Sequence, residues 1–129
     1  MTDLAAWLLD AIAEDEARAD VATRLGESRW KAVGGSVELA TVPRGSSIFE
    51  WMVAFDEGSP SEGQAVHIAT WDPARVLAEC AAKRALVEET MERSAEHRGP
   101  AATWVSLILG HLAQPYRDRE GWRDEWAVS

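Results

Sequence analysis

Two charged side chains interrupt apolar helical stripes, and they are the first candidates for chemistry. Asp15 projects between Leu8 and Ala22, and Arg84 lies seven residues from both Leu77 and Met91. A buried charge without a partner costs several kcal/mol or shifts its protonation. The expectation is that the two stripes face each other and Asp15 pairs with Arg84, with Glu14 or Glu16 assisting. The alternative is a cleft in which Arg84 recruits a carboxylate or phosphate. In that cleft Asp15 and His67 would be its companions. His67 would need an acid or further ligands nearby to act as a base or hold a metal. The other histidines, His97 and His111, show no His-x-x-x-His spacing. Otherwise His67 is a helix-packing or capping residue. Cys80 sits on an apolar stripe, where a thiol acts as a small hydrophobe, not a nucleophile. Asp10, Glu14, Asp15 and Glu16 crowd one helix; they form either a cation site or, more simply, a solvated face.

Several chemistries lack their motifs. There is no Gly-x-x-x-x-Gly-Lys, no Gly-x-Gly-x-x-Gly and no Gly-x-Ser-x-Gly. No catalytic residue, metal site or cofactor is assigned. Trp122 and Trp126 lie i, i+4 apart in a charged tail, beside Arg119 and Arg123. Tryptophan with arginine is typical of interface hot spots. Trp122, Trp126 and Arg123 are therefore interface candidates, unless the tail folds back and its rings cover the helices.

The elements that must position these residues follow from periodicity and punctuation. Thr2–Leu25 reads as a helix capped by Thr2 or Asp3, with Leu4, Leu8, Ala11, Ile12, Ala19 and Ala22 inward. Trp30–Val33, Val37–Val42 and Ile48–Phe55 read as strands of an antiparallel meander, broken by Gly34-Gly35 and by Pro43–Ser46. In the third run, Phe49, Trp51, Val53 and Phe55 form the expected core face. Gln64–Thr70 forms one or two helical turns. Asp72-Pro73 is a helix start, with Asp at the N-cap and Pro at the first helical position. That helix runs to about His97 and stops at Gly99-Pro100. Ala101–Ala113 is the last helix, with Trp104, Val105, Ile108, Leu109 and Leu112 inward, and Pro115 ends it.

Composition bounds the rest. The 129 residues make one expected domain, 1–129, long enough for its own core. Acids outnumber bases 22 to 13, for a net charge of -9. Residues 1–71 carry 12 acids against 5 bases, so the surplus lies mostly in the first half. This balance disfavours direct nucleic-acid binding, which draws on Lys and Arg. A single cysteine excludes an internal disulfide. No apolar run reaches about 18 residues and the start has no basic leader, so a cytoplasmic protein without membrane association is expected.

The block His67-Ile68-Ala69-Thr70-Trp71-Asp72-Pro73-Ala74-Arg75-Val76-Leu77, followed by Ala82-Lys83-Arg84, resembles a family of small actinobacterial and actinophage proteins of unknown function. The resemblance extends to the acidic Asp10–Glu16 stretch, to Pro115-Tyr116 and to the Trp122–Trp126 tail. It implies a cytoplasmic protein of bacterial or phage origin and carries no activity or functional residue.

The fold expected is α+β: an N-terminal helix, a small antiparallel sheet of about three strands, two C-terminal helices and a docked tail. The leading functional expectation is a non-enzymatic interaction module with a protein partner, a homodimer being one form. The rivals are a small-ligand binder or enzyme using Arg84, His67 and Asp15, and an acidic inhibitor of a nucleic-acid-handling enzyme.

Overall fold

The computed structural model describes residues 2–55, 58, 60–96 and 101–128. Among these are five α-helices and three strands, an α+β architecture. The order is α1 (Thr2–Ala22), β1 (Trp30–Val33), β2 (Ser36–Leu39), α2 (Ile48–Trp51), β3 (Met52–Ala54), α3 (Glu62–Thr70), α4 (Pro73–Glu96) and α5 (Ala101–Ala113). Two 3₁₀ turns, Gln114–Tyr116 and Asp124–Trp126, follow in the tail. The chain forms two compact units. One comprises Asp15–Glu79 and the other Met1–Glu14 with Cys80–Ser129.

The Asp15–Glu79 unit is built on the sheet, an antiparallel meander of order β1-β2-β3. Lys31 and Glu38 face each other across β1 and β2 and form an ion pair of 3.3 Å. Val37 and Leu39 alternate into the core with no exposure. A register shift between Val37 and Glu38 accommodates the short β3. Helix α3 lies against β1 and β2. It does so through small residues, Ala65 and Ala69, which pack with Val37, Trp30, Ala32, Val53, Ala54 and Ile68. Small side chains let the helix axis approach the sheet, and the burial contributes on the order of 25 cal/mol per Å² of apolar surface. Helix α3 starts at a capping box. The Ser61 hydroxyl accepts from the Gln64 N–H, and the Gln64 side chain accepts from the Ser61 N–H.

The second strand is shorter than the expected Val37–Val42. The third run differs in kind: Ile48–Phe55 is one helical turn followed by a three-residue strand. The cause is local. Glu50 Oε1 accepts from the Ser47 N–H at 3.4 Å, and the Ser47 carbonyl accepts from the Glu50 N–H at 2.9 Å. This closes a turn before the chain can extend. The expected core face therefore breaks up. Val53 packs on the core, but Phe49 is 77% exposed and Phe55 is 40% exposed.

In the other unit, Leu4, Ala5, Leu8, Ala11 and Ile12 of α1, Cys80 and Val87 of α4, and Val105, Leu109 and Ala113 of α5 are buried. This follows the expected stripes, except that Trp104 is exposed. His97 and the Gly99-Pro100 stop lie outside the described residues.

Candidate functional site

The most recognisable sequence block, His67–Leu77, does architectural work at its centre. Asp72 is buried and uses both carboxylate oxygens. Oδ1 accepts from the Arg75 N–H at 2.8 Å, capping α4, and Oδ2 accepts from the Trp30 N–H at 3.0 Å. The Ala74 N–H donates to the Ser28 carbonyl at 2.9 Å. The start of α4 and the start of β1 are thus latched together by one side chain and one backbone bond. Pro73 fits the first helical position because no intrahelical donor is needed there.

Beside this latch is a groove of about 320 Å³, lined by Asp15, Arg18, Ala19, Trp30, Trp71 and Val76 among others. Asp15 pairs with Arg18 at 3.5 Å, one turn along α1. The Trp71 ring is 46% exposed, and the Arg75 guanidinium lies 4.4 Å from its centroid. Arg75 also bonds Glu79 at 2.9 Å. The Trp30 indole N–H is buried and makes no hydrogen bond among the described residues. His67 is exposed on α3 and lines a different concavity with Gly58, Pro60, Gly63, Gln64 and Ile68. Asp15 and His67 thus each line a concavity of their own among the described residues. Arg84 is half-buried on the part of α4 that belongs to the other unit. Cys80 is buried. Among the described residues no three His, Cys, Asp or Glu side chains gather as a metal site would require.

The tail tryptophans have partners within their own unit. Trp7, Trp122 and Trp126 form a three-ring cluster with centroid separations of 5.7, 5.2 and 5.8 Å. Such edge and tilted contacts add about 0.5–1.5 kcal/mol each beyond area burial. The Trp7 indole N–H donates to the Glu120 carbonyl at 3.0 Å. Arg119 bonds Glu14 at 2.6 Å and lies over the Trp7 ring, while Arg123 reaches Asp3 at 3.3 Å and lies over Trp126. Two glycines permit this docking. Gly121 has φ +88°, and a Cβ there would meet Trp7 Nε1 at 2.9 Å. On α5, a Cβ at Gly110 would meet Val128 Cγ1 at 2.7 Å. The expected short helix through Trp122 and Trp126 is instead a turn at Glu120-Gly121, irregular chain at Trp122-Arg123 and the 3₁₀ turn. Lys83 ties α4 to the tail through the Tyr116 hydroxyl at 3.1 Å.

The acidic side chains of α4 form a further feature. Glu88, Glu89, Glu92 and Glu96 line a shallow depression with Arg93. Arg93 is hydrogen-bonded to Glu89 at 2.8 Å, and this bond, followed by the Glu89 charge, raises its pKa above the ordinary arginine value.

Sequence reasoning missed one surface. Leu25, at φ +52°, and Gly26, at φ +72°, turn the chain after α1. Arg24 Nη1 donates to the Met52 carbonyl at 3.3 Å, which fixes this turn to the α2–β3 junction. Arg24, Leu25, Phe49 and Glu50 line a depression of about 340 Å³. Leu25 is 45% and Phe49 77% exposed, with Ile48 also exposed. The signal available was Ser47-x-x-Glu50, a capping-box spacing that predicts a helical turn presenting Phe49 away from the sheet.

No helix among the described residues is long and apolar enough to cross a membrane. No curated protein and no solved structure matches the chain. One family model does, over nearly the whole length, residues 1–128: the chain belongs to the Family of unknown function (DUF6221).

Proposed function

We propose that the protein is a non-enzymatic interaction module that works through the Leu25–Phe49 surface. The observation that carries this reading is Phe49, a large apolar ring 77% exposed on a turn closed by the Ser47–Glu50 bond and held at Met52 by Arg24. Ordered exposed apolar clusters rimmed by charge mark contact sites, whereas isolated exposed hydrophobics carry no meaning. Here Leu25 and Phe49 share one depression with the charged Arg24 and Glu50, and Ile48 beside Phe49 is also exposed. Trp122, Trp126 and Arg123 remain partly exposed, but their main bonds are within their own unit.

The test is affinity capture from the producing cell with the wild type and with Leu25→Ser/Phe49→Ser, both verified as folded by circular dichroism. The reading expects a captured protein, this chain included, to fall at least tenfold on the variant. An unchanged set of captured proteins would refute it.

A second reading, a small-ligand site, is favoured by the Trp30–Trp71 groove, beside which the Arg75 guanidinium lies over the half-exposed Trp71 ring. It expects ligand-dependent shifts of the Trp30 indole resonance in a fragment screen by NMR. No perturbation of that resonance by any fragment would count against it.

A further inference from the structure

The groove beside the Asp72 latch carries a selectivity of its own. Its α1 wall is a single helical face, because Asp15, Arg18, Ala19 and Ala22 recur at the three- and four-residue spacing of neighbours on a helix. That wall changes from charged to apolar over about 10 Å of helix. Trp30, Trp71 and Val76 face it across the groove, and the Trp71 ring is 46% exposed.

The charges at and beside the groove are matched within the chain. Asp15 pairs with Arg18 at 3.5 Å, and Arg75, over the Trp71 ring, donates to Glu79 at 2.9 Å. Neither pair presents a net charge to an occupant. A charged ligand would have to break a pair or leave its own charge uncompensated, and a desolvated charge without a partner is costly. The remaining walls are indole rings, Val76 and alanine methyl groups. An aromatic occupant gains over a saturated one of the same size, since ring contacts contribute beyond area burial by a factor of about 2–12 in affinity. The volume of about 320 Å³ is at the small end of ligand sites, enough for one ring system. We propose that this groove binds a small uncharged aromatic molecule, its ring against the indoles and its polar substituent toward the Asp15–Arg18 pair. That pair offers a hydroxyl or amide both an acceptor and a donor. The proposal rests on the reading of the groove as a small-ligand site and names the class of ligand.

The experiment titrates the isotope-labelled full chain at about 0.15 M salt, followed by amide and indole NMR. Its probes share one size: benzyl alcohol, cyclohexylmethanol, benzylamine and benzoate. Benzyl alcohol is expected to give saturable shifts at Ala19, Ala22, Trp71 and Val76, with a dissociation constant of about 1 mM for so few atoms. Cyclohexylmethanol binds at least about threefold more weakly. Benzylamine and benzoate both bind at least about fivefold more weakly than benzyl alcohol. Trp71→Leu weakens benzyl alcohol at least about fivefold. Ala22→Leu fills the apolar end and abolishes the shifts. Unchanged amide spectra away from the groove show that both variants are folded. The proposal is overturned if benzyl alcohol gives no saturable shift at the groove up to about 20 mM. Equal binding of cyclohexylmethanol also overturns it, as does an affinity that survives both substitutions. Benzylamine or benzoate binding at the groove as tightly as benzyl alcohol refutes the uncharged class and leaves the wider small-ligand reading standing.

Discussion

Replacing Asp72 tests how the fold holds its sheet unit together. Its two oxygens serve two donors on different elements, at 2.8 and 3.0 Å. Asp72→Ala removes an N-cap, worth about 1 kcal/mol. It also strands the Trp30 N–H in a part-buried position, at a cost of about 1–3 kcal/mol. The expected loss is therefore about 2–4 kcal/mol, which is a large share of a typical domain's stability. Asp72→Ser separates the two roles. Its hydroxyl still caps α4 but does not reach Trp30, so only the second cost, about 1–3 kcal/mol, remains. Asp72→Asn keeps one acceptor oxygen and turns an amide donor toward the other N–H, so it falls between serine and alanine. Urea unfolding followed by far-UV circular dichroism reads these differences. With a slope of about 2 kcal/mol per molar, the alanine midpoint drops by about 1–2 M. The reasoning fails if Asp72→Ala costs under about 0.5 kcal/mol, or if serine matches the wild type. The second result would mean that the bond to Trp30 contributes nothing.

Other outcomes follow from the backbone and the tail. Leu25 holds φ +52° without the freedom of glycine, so Leu25→Gly relieves a conformation that costs about 1 kcal/mol and raises the melting temperature. A lower melting temperature would show that the Leu25 side chain contributes more by contact than it costs in strain. Gly121→Ala forces a Cβ to within 2.9 Å of Trp7 Nε1 at a positive φ and loses about 1–3 kcal/mol. Faster protease cleavage between Pro115 and Trp122 accompanies that loss, and an unchanged cleavage rate would contradict the docking.

The parts of the fold legible in the sequence are those set by local chemistry. Asp72-Pro73 announces a helix start because a carboxylate cap and a proline ring satisfy the same unbonded first turn, and α4 begins there. Gly34-Gly35 announces a hairpin because its turn needs positive φ, and Gly34 adopts +58°. Ala101–Ala113 is read to the residue because its apolar spacing is helical and Pro115 follows its end. Where two local signals compete, periodicity misleads. In Ile48–Phe55 the alternating aromatics suggest a strand, while Ser47 and Glu50 close a turn first, which leaves Phe49 in solvent. Distance in sequence hides the rest. Nothing near Trp122 names Trp7 as its neighbour 115 residues earlier, and nothing near Asp72 names the Trp30 amide. The candidate surface was legible only in part: Ser47-x-x-Glu50 signals the turn at Phe49, while nothing in the sequence signals the positive φ at Leu25. Leu25 and Phe49 look like core by type, and only the turn geometry turns them outward.

The most direct test of the account is photocrosslinking from position 49. A photoreactive phenylalanine at Phe49 is compared with one at Leu107, which is 49% exposed on α5 in the other unit. A working contact surface gives a discrete adduct from position 49 in the producing cell and none from position 107. The absence of any adduct at position 49, or the same adduct from both positions, would contradict it.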